Sequence, residues 1–187
     1  MKFVSIILLG VSLVVSLPSF ASGRVYNDYL EGMLEVPGYT GTSPYKIMED
    51  IDNLYPGDVL YLHIDSPGGL VTIEYSIARA IHHTQGKVIG VLDGIAASAA
   101  AEILIQCPII EITEHATMVL IHEKYYPYWH HGRIVSRTWH HDAEDDAQAA
   151  RWSKYLTKEE IHSLFDHKDI KLNAKEFYNR VKNARGI

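Results

Sequence analysis

The sequence predicts an α/β fold, a mainly parallel sheet covered by helices, and three observations carry that prediction. Runs rich in β-formers, "VLYLHI" (59–64), "KVIGVLD" (87–93) and "MVLIH" (118–122), alternate with segments of helical periodicity. Turn signals, "YPGD" at 55–58 and Gly94, separate the runs. The composition, 47% hydrophobic with 21% charged over 187 residues, is that of a globular chain with room for a sizeable core.

The N-terminal 21 residues stand outside that alternation. Lys2, the apolar run "FVSIILLGVSLVVSL" and small residues at Ser19 and Ala21 read as a secretory signal peptide cut after Ala21. The expected location is therefore secreted or periplasmic. Lys2 is the only charge in the segment, so its removal takes the formal net charge from −6 to −7. An acidic chain of this kind is not expected to bind nucleic acid. Cys107 is the single cysteine, so no internal disulfide can form and packing must supply the stability. Without internal repeats or a low-complexity linker, residues 22–187 are expected to form one domain.

Each element has its own signal. In "SPYKIMEDIDNL" (43–54), Ser43 stands at the cap and Pro44 at the first helical position, while Ile47, Met48, Ile51 and Leu54 share a face. After the strand 59–64, "GLVTIEYSIARAIHHT" spaces Val71, Tyr75, Ala78 and Ile81 or His82 at helical intervals up to a stop at Gly86. Strand 87–93 is expected to turn at Gly94 into an alanine-rich helix ending at Gln106, followed by strands "IIEI" (109–112) and 118–122. Two capping boxes, Thr157 with Glu160 and Asn173 with Glu176, open short helices near the C-terminus.

In such folds, sites gather at loops leaving the carboxyl ends of parallel strands. Two stretches fit, "IDSPGGL" and "DGIAAS". In the first, Gly68 and Gly69 allow a sharp turn that can present bare N–H groups to a developing oxyanion. In the second, Ser98 stands among alanines at a helix entrance, where a serine is ordinarily a cap but can be a nucleophile if a base is near. His122, closing a strand, could supply that base, and Asp169 could orient the imidazole.

Taken together, "IDSPGG", "GIAASAAA", "VLIHE" and "KDIKLNAKE", in that order, resemble the proteolytic-subunit family of the Clp protease, ClpP. The resemblance covers residues 57–122 well and 157–187 more loosely. It implies a ClpP/crotonase-like superhelix of ββα units and a catalytic triad of Ser98, His122 and Asp169. Its oxyanion hole would be drawn from the N–H groups of Gly68, Gly69 and Ala99. It implies a serine endopeptidase without cofactor or metal, acting on peptides or unfolded polypeptides as a homo-oligomer.

Two departures shape the expectation. The segment from His122 to Asp169 is shorter than in typical relatives and does not resemble the long helix that mates the family's two rings. Residues 22–56 do not match the loops that engage its unfolding ATPase, and an exported chain would meet neither that ATPase nor ATP, so ATP-independent activity is expected. Two alternatives stay open: a Ser-Lys dyad with Lys87 or Lys124 as base, and a non-catalytic binding or assembly protein on the same scaffold. His130, His131, His140, His141 and His162, interleaved with Asp142, Glu144, Asp145 and Asp146, form no ligand spacing of a known metal motif and read as a solvated or partner-facing surface. Tyr125, Tyr126, Tyr128, Trp129 and Trp139 fit either a substrate groove or a subunit interface.

Overall fold

The computed structural model describes residues 23–33, 42–124, 126–130, 133–137 and 142–187. The predicted signal peptide, Tyr125, His131, Trp139, His140 and His141 lie outside the described residues.

Six strands form the main sheet. β1 (Val25–Met33), β2 (Val59–Gly68) and β3 (Lys87–Ala97) run parallel side by side. β3 is long enough to serve two further parallel neighbours in succession. Ile89–Leu92 pair with β4 (Ile109–Ile112), and Ile95–Ala97 pair with β5 (Met118–Ile121). β8 (Ile170–Asn173) closes the far edge antiparallel to β5. The mainly parallel α/β sheet predicted from the alternation of patterns is therefore the one observed. A separate hairpin, β6 (Tyr126–His130) with β7 (Arg133–Arg137), occupies the segment that departs from the family pattern.

Helices cover the sheet: α1 (Pro44–Asp52), α2 (Val71–His83), α3 (Ala99–Gln106), α4 (Asp142–Trp152), α5 (Lys158–Phe165) and α6 (Ala174–Arg185). α1 begins as predicted with proline in its first turn, though the Ser43 side chain makes no cap bond. Its Ile47 and Ile51 are fully buried. α5 closes both bonds of its capping box, and Asn173 accepts from the Glu176 N–H at 2.9 Å to start α6. One contiguous core runs from Leu30 to Val181, with Trp152 and Phe177 its largest fully buried side chains.

Three expectations need correction. α2 buries Ala78 and Ile81 of the predicted stripe, but its other buried aliphatics are Ile73 and Ile77, while Val71 is half-buried and Tyr75 exposed. The isoleucines carry the larger aliphatic area, and the tyrosine keeps its hydroxyl at the rim. The helix also ends at His83, three residues before Gly86, and its C-cap Thr84 donates its hydroxyl to the Ile51 carbonyl and ties α2 to α1.

The third correction concerns the two predicted loops, which are strand. β2 continues through Pro67 to Gly68, and β3 continues through Gly94 to Ala97. Gly94 marks a bulge, because the pairing shifts by two residues between Ile64–Leu92 and Ser66–Ala96. The Asp65 carboxylate fills the bulge and accepts from the Ile95 N–H at 2.9 Å. A Cβ on Gly94 would stand 2.1 Å from Asp65 Oδ1, so any larger residue would displace the carboxylate from the bulge.

Candidate active site

β3 runs straight into α3 with a single residue, Ser98, as the hinge. Its φ of 55° and ψ of −124° lie in a region that L-residues rarely occupy. The backbone is held there from both sides. Its N–H donates to the Leu120 carbonyl of β5 at 2.9 Å, and its carbonyl accepts from the N–H groups of Ala101 and Glu102. The hydroxyl makes no cap bond to α3, so the ordinary reason for a serine at a helix start does not apply. A strained strand-to-helix turn that directs into a cavity a hydroxyl without a hydrogen-bond partner among the described residues has the geometry of a nucleophile elbow.

The end of β2 packs against this hinge. Ser66, fully buried, donates its hydroxyl to the Gly32 carbonyl at 2.6 Å and accepts from the Gly68 N–H at 3.1 Å. Gly68 has φ 97°, and a Cβ there would stand 2.5 Å from the Ala97 carbonyl oxygen and 2.8 Å from Ser98 Cβ. Its role is thus to permit close approach, since its own N–H is engaged by Ser66. The other two predicted oxyanion donors, Gly69 and Ala99, line the cavity beside Ser98. Ala99 is the first residue of α3, where an N–H has no helical acceptor. We expect Gly68→Ala to cost about 3 kcal/mol through clash and positive φ together. Chemical denaturation would measure the stability loss, and fluorophosphonate labelling the loss of the hinge geometry.

Ser98 and His122 line one cavity of about 230 Å³, together with Glu74, Glu102, Lys124 and Gln148. The His122 Nδ1 lies 2.6 Å from the backbone carbonyl of Glu123. A carbonyl oxygen only accepts, so Nδ1 carries the proton and Nε2 is the basic nitrogen of the neutral ring. The Glu123 carboxylate, itself buried, pairs with His167 Nδ1 at 2.5 Å. Asp169 is exposed and does not line the cavity. The β5–β8 register ends with Ile121 opposite Ile170, so His122 and Asp169 are the next residues at the two strand ends.

Of the two lysines weighed as bases, Lys87 opens β3 at the end opposite Ser98, roughly 35 Å away by the rise of an extended chain. It takes no part in the cavity. Lys124 does: its ammonium donates to Glu74 Oε1 and to the Tyr75 hydroxyl, each at 3.1 Å. Burial pushes the Glu74 carboxyl up to about 7, with Lys124 pulling it down and Glu102 adding to the rise. An acid whose folded value lies above its unfolded one favours folding while protonated. The penalty for ionising Glu74 therefore grows as pH rises from about 4.5 through 7. Thermal unfolding across that window should show stability falling more steeply in the parent than in Glu74→Gln.

Glu102 anchors the wall behind the cavity. Its Oε1 accepts from Gln148 Nε2 at 2.8 Å and Trp152 Nε1 at 2.6 Å, and its Oε2 accepts from Arg151 Nε at 2.9 Å. Glu74, Glu102 and Gln148 were not among the predicted site residues. A signal for two of them exists, because a carboxylate within "AAAEILIQ", or on the buried stripe of α2, has to be paired inside the protein. Gln148 has no such mark. Among the described residues, no group of three or more His, Cys, Asp or Glu is arranged to hold a metal ion.

Comparison with known proteins agrees with this architecture. Residues 44–126 match the family model "Clp protease". Among solved structures, the chain is similar to a mutant of 1510-N, a membrane-bound stomatin-specific protease. The similarity has a TM-score of 0.56 at 18% identity, covering 83% of this chain and 75% of that one. No curated protein matches the sequence. The family match runs from α1 past the hinge serine and the strand-end histidine, and the parallel sheet with its helical cover is shared with a solved protease, so the chain is ClpP-like in this segment and in its fold.

Proposed function

We propose that the chain is an exported, ATP-independent serine endopeptidase that hydrolyses short or unfolded polypeptides. The observation that carries the reading is Ser98, held at φ 55° with no cap bond, in the same cavity as His122. Ser98 Oγ attacks the peptide carbonyl while His122 Nε2 takes its proton. The N–H groups of Ala99 and Gly69 receive the oxyanion, and the imidazolium returns its proton to the departing amine. The Glu123 carbonyl holds the ring in the required tautomer. Asp169, one cross-strand step beyond the Ile121–Ile170 pair, adds negative charge that favours the imidazolium. Export is proposed on the N-terminal sequence alone, and a homo-oligomer on the family resemblance.

A Ser-Lys dyad is a second reading, favoured by the presence of Lys124 in the cavity. Its ammonium is committed to Glu74 and Tyr75, which weighs against it. Turnover of an unfolded protein such as casein, measured in three variants, separates the readings. We expect His122→Ala to lose about 10³-fold or more in kcat. Asp169→Ala should lose roughly tenfold to a hundredfold, since an exposed carboxylate acts across solvent. Activity retained in His122→Ala but lost in Lys124→Ala would establish the dyad. No turnover in any form, including the parent, would leave the non-catalytic reading.

A further inference from the structure

Helix α5 ends on a residue that its own backbone does not favour. Asp166 is the C-cap, and the Lys168 N–H reaches back to the Ser163 carbonyl at 3.0 Å, which leaves His167 as the left-handed residue of the turn at φ 60°. α6 closes with the same bond, from the Ile187 N–H to the Lys182 carbonyl, and there the left-handed residue is Gly186 at φ 70°. Glycine is the usual choice because a Cβ crowds the backbone in that conformation. The fold therefore keeps a histidine where helix termination alone selects glycine.

The imidazole supplies the reason. His167 Nδ1 lies 2.5 Å from Glu123 Oε2, joining the α5–β8 turn to the end of β5 across 44 residues of sequence. The Glu123 side chain is 1% exposed, so its carboxylate depends on donors brought to it by the protein. A carboxylate only accepts, so Nδ1 donates. The bond holds more than a side chain, because the backbone carbonyl of Glu123 is the group that accepts from His122 Nδ1 at 2.6 Å. The β5–β8 register ends at Ile121 opposite Ile170, so His122 and Glu123 lie beyond the ladder and are fixed by bonds from other elements. One comes from Gln148 Nε2 on α4, which donates to the His122 carbonyl at 3.3 Å, and the other from His167.

We infer that His167 is a positioning residue: through the Glu123 carboxylate it fixes the Glu123 carbonyl, and that carbonyl keeps His122 in the tautomer whose Nε2 is basic. The left-handed backbone of His167 is the conformational cost of aiming its ring at Glu123. The inference rests on the serine-peptidase reading for what His122 does, and on the hydrogen bonds alone for how His122 is held.

The test compares the parent, His167→Gly and His167→Lys as full chains. Glycine suits the turn and removes the donor, whereas lysine returns a donor on a flexible stem. With casein as substrate, His167→Gly should lose about tenfold in kcat with KM within twofold, and His167→Lys should recover to within threefold of the parent. A second readout separates positioning from a general structural role: 15N chemical shifts of the His122 ring, assigned by difference from His122→Ala. The parent should show a protonated Nδ1 and an unprotonated Nε2, and in His167→Gly the two shifts should move toward each other as the tautomers mix. An unmoved pair of shifts in folded His167→Gly overturns the proposal, as does His167→Lys as impaired as His167→Gly. Should the lone carboxylate keep His167→Gly from folding, Glu123→Leu combined with His167→Gly removes the charge with its partner and is read in the same way. The nitrogen shifts need no turnover, so the two readings fail separately. Shifts that move in a chain whose parent neither cleaves casein nor labels with fluorophosphonate remove the peptidase reading and support the coupling, whereas an active parent with unmoved shifts removes the coupling alone.

Discussion

Ser98→Ala should abolish fluorophosphonate labelling and lower turnover of unfolded protein by 10³-fold or more, while Ser98→Gly should be equally inactive and more stable than the parent. The two variants separate a nucleophile from a cap by the sign of the stability change. A serine that caps a helix costs about 1 kcal/mol when replaced by alanine and little is gained from glycine. Ser98 makes no cap bond and sits at φ 55°, ψ −124°, a conformation costing on the order of 1–3 kcal/mol for a residue with a Cβ. Glycine enters that region freely, at some cost in unfolded-state entropy. The net expectation for Ser98→Gly is a gain of about 1 kcal/mol, read as a rise of roughly 2–4 °C in Tm. A Tm that falls by that amount, with labelling unchanged in Ser98→Ala, would return Ser98 to a structural role.

Glu102→Ala should produce the largest loss of stability. The carboxylate is 2% exposed and accepts from three donors on α4: the Gln148 amide, the Arg151 guanidinium and the Trp152 indole. Removing it leaves those donors facing a small apolar void, with Arg151 only partly able to reach water. Breaking a buried pair from one side costs about 3–5 kcal/mol. That is a large share of a total stability of roughly 5–15 kcal/mol. Denaturant unfolding should report the loss with little change in slope. Because Gln148 also bonds the His122 carbonyl, turnover in Glu102→Ala should drop as well, through misplacement of the base. Glu102→Gln keeps the shape but turns an N–H toward other donors, so it should fall between the parent and alanine. An alanine variant as stable as the parent would mean that water satisfies these groups.

The N-terminal limits of α1, α5 and α6 were legible in the sequence because their signals are local. Pro44 needs only its own ring, and the Thr157–Glu160 box closes within four residues. The parallel order of β2 and β3 was legible through alternation, since a strand followed by a helix returns to the same sheet in one sense. Gly94 was misread as a turn for a physical reason: a glycine that makes room for a distant carboxylate looks, in one dimension, like a glycine that reverses the chain. The β6–β7 hairpin was equally invisible, its strands being short and without the usual turn pairs.

By itself the sequence determined the α/β class, the place of Ser98 at a helix entrance and His122 as a candidate base at a strand end, because local propensity and the order of short motifs carry that information. Tertiary structure alone decided what those residues can do. It strained Ser98 between the Leu120 carbonyl and the first turn of α3, and turned His122 Nδ1 to the Glu123 carbonyl. It also brought Glu74, Glu102, Lys124 and Gln148 to one wall from separate elements of the fold. Hydrogen-bond partners up to fifty residues apart leave no periodicity in a chain, so burial and pairing, which set the chemistry of the cavity, emerge only when the sheet and its helices are packed.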